Sequence, residues 1–220
     1  MVLVVTMETA ELTFTSTRMP KLIGGAPCLD FANTADWHAS ENPLERLTTY
    51  TGLVYWSWHA GILSPVTAQR LLAKAAKRPR EAEAALDRAV RLRDALYRIF
   101  RALAHEEGVD EEELSVLNAV LGEAMARLRV VRQGDEFTWE WEGMEASHEA
   151  MLWPLARSAA ELLTSEDHHR LGQCADERGC GWLFLDMSKN HSRRWCDMDD
   201  CGNRAKAMRH YRRERGIPLT

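Results

Sequence analysis

Four of the chain's five cysteines fall in one short segment, as Cys174-x5-Cys180 followed by Cys196-x4-Cys201. Two close pairs of thiolates present four soft sulfurs to one ion with little chain ordering, which is the donor set of a tetrahedral structural Zn2+ site. Both gaps exceed the usual two-residue knuckle, so each loop needs a turn device. Gly179 stands beside the second thiol and Gly202 follows the fourth. The competing readings are a redox dithiol, which lacks C-x-x-C here, an iron–sulfur cluster, whose usual spacings differ, and four unrelated buried thiols. Four cysteines close the shell and leave no open position for catalysis. His168, His169, His191 and His210 are therefore read as solvent-facing, and Cys28, alone after Pro27, as a small core residue.

A basic run follows the last thiol. Residues 202–215 hold six Lys/Arg against one acid, giving +5, so the other residues carry −10 of the net −5. Attraction to phosphate would then be local to the C-terminal segment. A helix from Asn203 to Arg215 would turn Ala207, Met208 and Tyr211 inward and share Lys206, Arg209, His210 and Arg213 on an outward face. Arg204, Arg212 and Arg215 lie alongside, and Arg193 and Arg194 add charge from the metal loop. Asn203 and Arg204 are residue types that read adenine and guanine edges, although Asn203 could equally cap the helix.

The elements that must position these groups are mostly helical. The stretch 80–108 is the strongest helical segment, with Leu86, Val90, Leu96, Phe100 and Leu103 in one stripe and Gly108 beyond its end. Leu44 to Gly61 is apolar at helical spacing, Ser64-Pro65 open a further helix, and Asp110 with Glu113 forms a capping box for the next. The period then switches to two over 129–141, predicting a hairpin about Gly134-Asp135 with Phe137, Trp139 and Trp141 on one face. Trp56, Trp58, Trp139 and Trp141 are assigned to core packing. Another helix is expected over about Ala146 to Leu163, and residues 11–34 read as extended and turn pieces. In the tail, "GWLFLDMS" reads as a strand whose Trp182, Phe184 and Leu185 give a metal module its small core. The fold class is mainly α: a helical N-terminal domain with a small β-hairpin, then a treble-clef-like or ribbon-like zinc module ending in a helix. An apolar content of 45% is ordinary for a folded chain. No basic-flanked leader and no run of ~20 apolar residues is present, so no membrane and a cytoplasmic location are expected.

The segment "RRWCDMDDCGNRAKAMRHYRRER" resembles the CGNR zinc finger, whose motif stands here as Cys201-Gly202-Asn203-Arg204, with "FLDMSKN" before it. The body resembles the ABATE domain usually found before that finger, through "GGAPCLDFANT", "RLRDALYRIF", "LNAVL" and "LWPLARSAAELLTS". The resemblance implies an N-terminal extension over 1–21, an ABATE-like helical domain over 22–165 and a CGNR finger with a basic helix over 170–216. It implies a stress-induced transcriptional regulator that holds Zn2+ and binds DNA. Asp30, Asn33 and Thr34, with Arg91 and Arg93, could line a polar pocket for a small-molecule effector. Alternatively Asp30 pairs with an arginine and pins the N-terminal segment. A homodimer is the further partner considered. No nucleophile–base pair, phosphate loop or open metal triad is legible, so no enzyme is expected. The alternative function is a sensor or interaction protein whose structural finger contacts a protein partner.

Overall fold

The structure, a computed structural model, describes residues 19–216. The extended piece expected at 11–16 and nearly all of the N-terminal extension lie outside the described residues. The body is built round α4 (Pro79–Ala104), which packs against α1 (Pro27–Ala32), α2 (Tyr50–His59), α3 (Pro65–Lys77) and α5 (Glu111–Met125). Its 26 residues bury one broad stripe, Ala82, Ala85, Ala89, Leu92, Leu96, Ile99 and Phe100, while charged residues coat the opposite face. Alanines on the N-terminal half let neighbouring helices approach, and larger side chains fill the C-terminal half. Helix α6 (Leu152–Thr164) closes the bundle against α1 and α5.

Local chemistry sets the helix starts. Ser64 Oγ accepts the Thr67 N–H at 3.0 Å, and Pro65 occupies the first turn of α3. Asp110 caps α5 by accepting the Glu112 N–H at 2.9 Å. The expected capping box is not made: the Asp110 side chain takes the N–H of Glu112 and not of Glu113, and the Glu113 carboxylate is drawn across to Arg98. Helix α2 begins later than the apolar spacing suggests, because Thr49 Oγ1 takes the Gly52 N–H at 3.0 Å, and Leu44–Glu45 forms β2 against β1 (Ala35–Asp36). Similarly α6 begins at Leu152 rather than near Ala146; Pro154, which has no N–H, is tolerated only in a first turn. Residues 27–32, read as extended, are helical: Pro27 presets the first turn, and the helix is too short for its period to show.

The hairpin is present as β3 (Leu128–Gln133) and β4 (Glu136–Trp141), in register Leu128↔Trp141 through Gln133↔Glu136. Its turn is Gly134-Asp135, with Gly134 at φ +64°. The assignment of its aromatics to the core is corrected. Phe137 is 73% and Trp139 55% exposed, because Leu128 and Trp141 at the base of the hairpin pack on the helices while Trp139 meets the Arg157 guanidinium of α6, 5.3 Å from its ring. Trp141 meets Trp153 of α6 there, with ring centroids 6.4 Å apart.

Beyond α6 a 3-10 turn (Glu166–Arg170) leads into β5 (Leu171–Gln173), paired antiparallel with β6 (Leu183–Leu185). Because successive strand side chains point to opposite faces, β6 serves two cores: Leu183 and Leu185 join the body core, while Phe184 is buried with the four cysteines. Asn33 fastens this strand, its Nδ2 donating to the Leu183 carbonyl at 2.9 Å and its Oδ1 accepting the Leu183 N–H at 2.8 Å. After the fourth cysteine the chain enters α7 (Asn203–Glu214). Among the described residues no helix is long and apolar enough to cross a membrane.

Candidate metal centre

Cys174, Cys180, Cys196 and Cys201 are all buried, with their Sγ atoms within 4.8 Å of one another. The Cys180–Cys196 and Cys196–Cys201 Sγ separations are 3.7 and 3.6 Å. Four sulfurs at the ~2.3 Å bond length of a tetrahedral zinc thiolate stand ~3.8 Å apart, so the cluster has the dimensions that Zn2+ requires. Its electrostatics point the same way. Hydrogen bonding from Cys180 draws the Cys174 thiol down, while contact with Cys174 pushes Cys196 and Cys201 up. Four thiols this close cannot all ionise beside one another, and a divalent cation removes the conflict by deprotonating its ligands outright. The donor set therefore fits Zn2+.

Each knuckle is shaped by a different device. In the first, Asp176 accepts the Arg178 N–H at 3.1 Å and its carbonyl takes the Gly179 N–H at 2.9 Å. Gly179 sits at φ +87° with Ser40 N only 2.8 Å from where a Cβ would lie, so both its conformation and its space demand glycine. In the second, the four-residue gap is taken up by a π-turn (Met198–Gly202), started by Asp197, whose side chain accepts the Asp199 N–H at 2.8 Å. The expectation that Gly202 supplies a turn is corrected: its φ is −64°, and the constraint is the Met198 sulfur, 2.9 Å from any Cβ placed there.

Four thiolates round a divalent ion leave two negative charges, and Arg204 is placed to meet them. Its Nη2 donates to Cys201 Sγ at 2.7 Å, and its Nε reaches Asp176 of the first knuckle at 2.9 Å. One guanidinium thus clamps the two halves of the site and supports a ligand sulfur from outside the shell. Arg193 is a structural brace. It donates to the carbonyls of Cys196 (2.5 Å), Trp195 (3.1 Å), Leu185 (3.2 Å) and Ile23 (3.3 Å) and lies over the Phe184 ring. Those carbonyls have no ladder partner, so the arginine satisfies them and is not presented to a phosphate. Asn203 neither caps α7 nor projects free, since its Nδ2 donates back to the Asp199 carbonyl at 3.1 Å.

The body grips the first knuckle directly. His38 and Ala39 donate their N–H groups to the Cys180 and Gly179 carbonyls at 3.2 and 3.1 Å, and Tyr97 Oη donates to the Gly181 carbonyl at 3.0 Å. Lys21 ties the N-terminal side of the body to the second knuckle through Asp197 and Asp200. Its ammonium holds the Asp197 carboxyl below the usual carboxylate range.

The remaining candidates divide sharply. Lys206, Arg209, His210 and Arg213 share an exposed surface of α7, as the helical spacing requires. Arg194 is exposed, whereas Arg212 is half-buried and pairs with Glu177 at 2.7 Å. The inward stripe of Ala207, Met208 and Tyr211 is corrected: all three are exposed, because the finger is too small to put an apolar layer beneath α7. Ion pairs hold that side in its place. Asp30, Asn33, Thr34, Arg91 and Arg93 do not converge on a pocket. Asp30 accepts the Gly24 N–H at 2.8 Å and has no arginine partner among the described residues, and burial raises its pKa. Thr34 Oγ donates to the Phe31 carbonyl at 2.7 Å, Asn33 is spent on β6, and Arg91 faces solvent. Arg93, 3% exposed, pairs with Glu45 at 2.6 Å and Asp94 at 2.8 Å. Cys28 is fully buried, its thiol pushed up to about 12 by burial, as a small core residue should be.

Asp176, Lys21, Trp195 and Trp37 were not singled out by sequence. Asp176 did carry a signal, an Asp two residues into a glycine-closed loop; Lys21 carried none, since its partners lie far along the chain. Trp37, at φ +57°, is flanked by Arg178 and Arg204 at 5.3 and 5.6 Å from its ring.

Fold and centre together define a mainly helical protein that ends in a four-cysteine zinc finger. Residues 25–166 match the ABATE family, described as "Putative stress-induced transcription regulator", and residues 170–214 match the CGNR zinc finger. The chain belongs to the ABATE family and carries a CGNR finger at its C-terminal end. No curated protein matches it.

Proposed function

We propose that the chain is a cytoplasmic DNA-binding transcriptional regulator in which zinc fixes the root of α7 and α7 meets the phosphate backbone. One observation carries this reading. Helix α7 leaves the fourth ligand directly and exposes Lys206, Arg209 and Arg213, none of which has a carboxylate partner among the described residues. Unpaired cations on a rigidly rooted helix are what phosphate neutralisation needs. The thiolate shell is closed, so a binding role accounts for the centre better than catalysis does. Stress sensing, which the family description carries, is assigned to the helical body, because its segment 38–39 is bonded to the knuckle carbonyls.

The test is duplex binding by zinc-loaded full-length protein across a range of salt. Neutralising Lys206, Arg209 and Arg213 to Gln should flatten the log–log salt dependence by about 0.9 for each phosphate left without its cation. Arg204→Gln should instead lose zinc retention first and DNA second. Zinc-loaded protein that ignores duplex at low salt would transfer α7 to a protein partner.

A further inference from the structure

Between the first knuckle loop and α7 lies a cleft of about 450 Å3, whose walls include Arg178, Arg194, Trp195, Met208, Arg209 and Tyr211. Trp195 is half-buried, packed against the cysteine cluster, and so held in place by the metal module. The guanidinium groups of Arg194 and Arg209 lie over its ring, 5.4 and 5.8 Å from the centroid, contacts that a stacking base would displace while turning both cations to its phosphates. Met208 and Tyr211 are 41% and 46% exposed, large apolar groups left uncovered on an otherwise charged helix. The acids at this site are spent: Asp176 is bonded to Arg204 and Glu177 to Arg212. Arg194 and Arg209 have no carboxylate partner among the described residues, so the cleft combines a fixed aromatic platform with surplus positive charge.

We propose that this cleft is a nucleobase site, which takes an unpaired base of single-stranded DNA onto Trp195 while Arg194 and Arg209 meet the adjoining phosphates. An aromatic face in a basic groove is the means by which proteins hold single strands, since every base has a π-face and every linkage a charge. A base inside a duplex is covered on both faces by its neighbours, so it reaches such a cleft only after leaving the stack. The proposal rests on the DNA-binding reading of α7 and narrows it: the finger prefers open or strand-separated DNA.

Fluorescence anisotropy with zinc-loaded full-length protein decides it, using a labelled oligo-dT of about 12 nucleotides and a duplex of the same length. The single strand should bind at least as tightly as the duplex. Trp195→Ala should weaken single-strand binding roughly 5- to 150-fold, with the salt slope and duplex binding retained. Trp195→Tyr, which keeps a ring, should recover most of the loss. Because Trp195 also packs on the cysteines, zinc content is measured in each variant, and unmodified protein is photo-crosslinked to a strand carrying 5-iodouracil. The crosslink should map to Trp195 or its neighbours in the cleft. Duplex binding with a single strand ten-fold weaker, or a crosslink mapping outside the cleft, would overturn this inference alone. Failure to bind either DNA would overturn it together with the DNA-binding reading.

Discussion

The body and the finger bury side chains for opposite reasons. In the body, Trp56, Leu92, Leu96, Ile99 and Phe100 are removed from water by helices that each contribute one apolar stripe. In the finger the fully packed set is four thiols and Phe184. A body of that size is stabilised by area, at ~25 cal/mol per Å2 of apolar surface buried. The finger has too little area for that and depends on an ion and on single polar contacts, such as Arg204 to Cys201 and Arg193 to its four carbonyls. Volume-conserving exchange is therefore tolerable in the first region and not in the second. The two are not independent, because β6 contributes alternate residues to each.

The comparison is broken most severely by removing the ion. Metal binding contributes ~10–16 kcal/mol to small zinc modules, far more than any side chain in the body. Cys196→Ser, or chelation at neutral pH, should cost the finger its structure while the body helices persist. Hydrogen exchange should show protection disappearing from residues 171–214, with loosening carried into residues 33–40 through Asn33 and the knuckle carbonyls. Equal loss of protection in α4 and α5 would show one cooperative unit and end the distinction.

The reverse experiment is next in size. Phe100→Ala, at a fully buried site of the body, should cost about 3–5 kcal/mol and lower the melting temperature. Zinc should remain stoichiometric in the molecules still folded. Smaller again is the seam itself. Asn33→Ala leaves the buried N–H and carbonyl of Leu183 without partners, at about 1–3 kcal/mol for each group left unsatisfied. Its signature should be faster zinc release to a chelator together with a lower melting temperature, whereas a body-only effect would move the melting temperature alone.

The asymmetry between regions also governs what could be read from sequence. The four ligands were legible because thiol chemistry needs a particular residue at a particular spacing. The long stripe of α4 and the period switch at β3–β4 were legible because burial imposes periodicity. The face of α7 toward the knuckle was not, since the spacing of Ala207, Met208 and Tyr211 is indifferent to whether any layer exists to cover them. Arg193 illustrates the same gap. In sequence it counts as one more positive charge, and only the positions of four unpaired carbonyls, one of them Ile23 far along the chain, make it a brace. Asp30, Asn33 and Thr34 mislead for a related reason: clustered polar residues suggest a pocket, yet each is consumed by a backbone group.

The smallest effect sharpens the comparison by using pH on the body alone. His148 is buried against Tyr50, with ring centroids 5.6 Å apart, and its Nε2 has no hydrogen-bond partner among the described residues. Burial lowers its pKa, and Lys74 of α3 and Arg78 just beyond that helix add to the depression, opposed by Glu81. The folded state therefore binds fewer protons than the unfolded state, whose histidine titrates near the ordinary ~6.5. Stability from this site is complete above that value and is lost as pH falls through it toward the folded pKa. Urea midpoints measured between about pH 7 and pH 5 should fall less in His148→Gln than in the parent chain. The Tyr50 bond to the residue-148 carbonyl is a backbone contact that the substitution leaves in place. Because the site is far from the cysteines in sequence and packed within the body, zinc content should be the same in both proteins across that range. A variant with the parent's full pH dependence would show that carboxylates elsewhere, and not this ring, set the acid limit of the body.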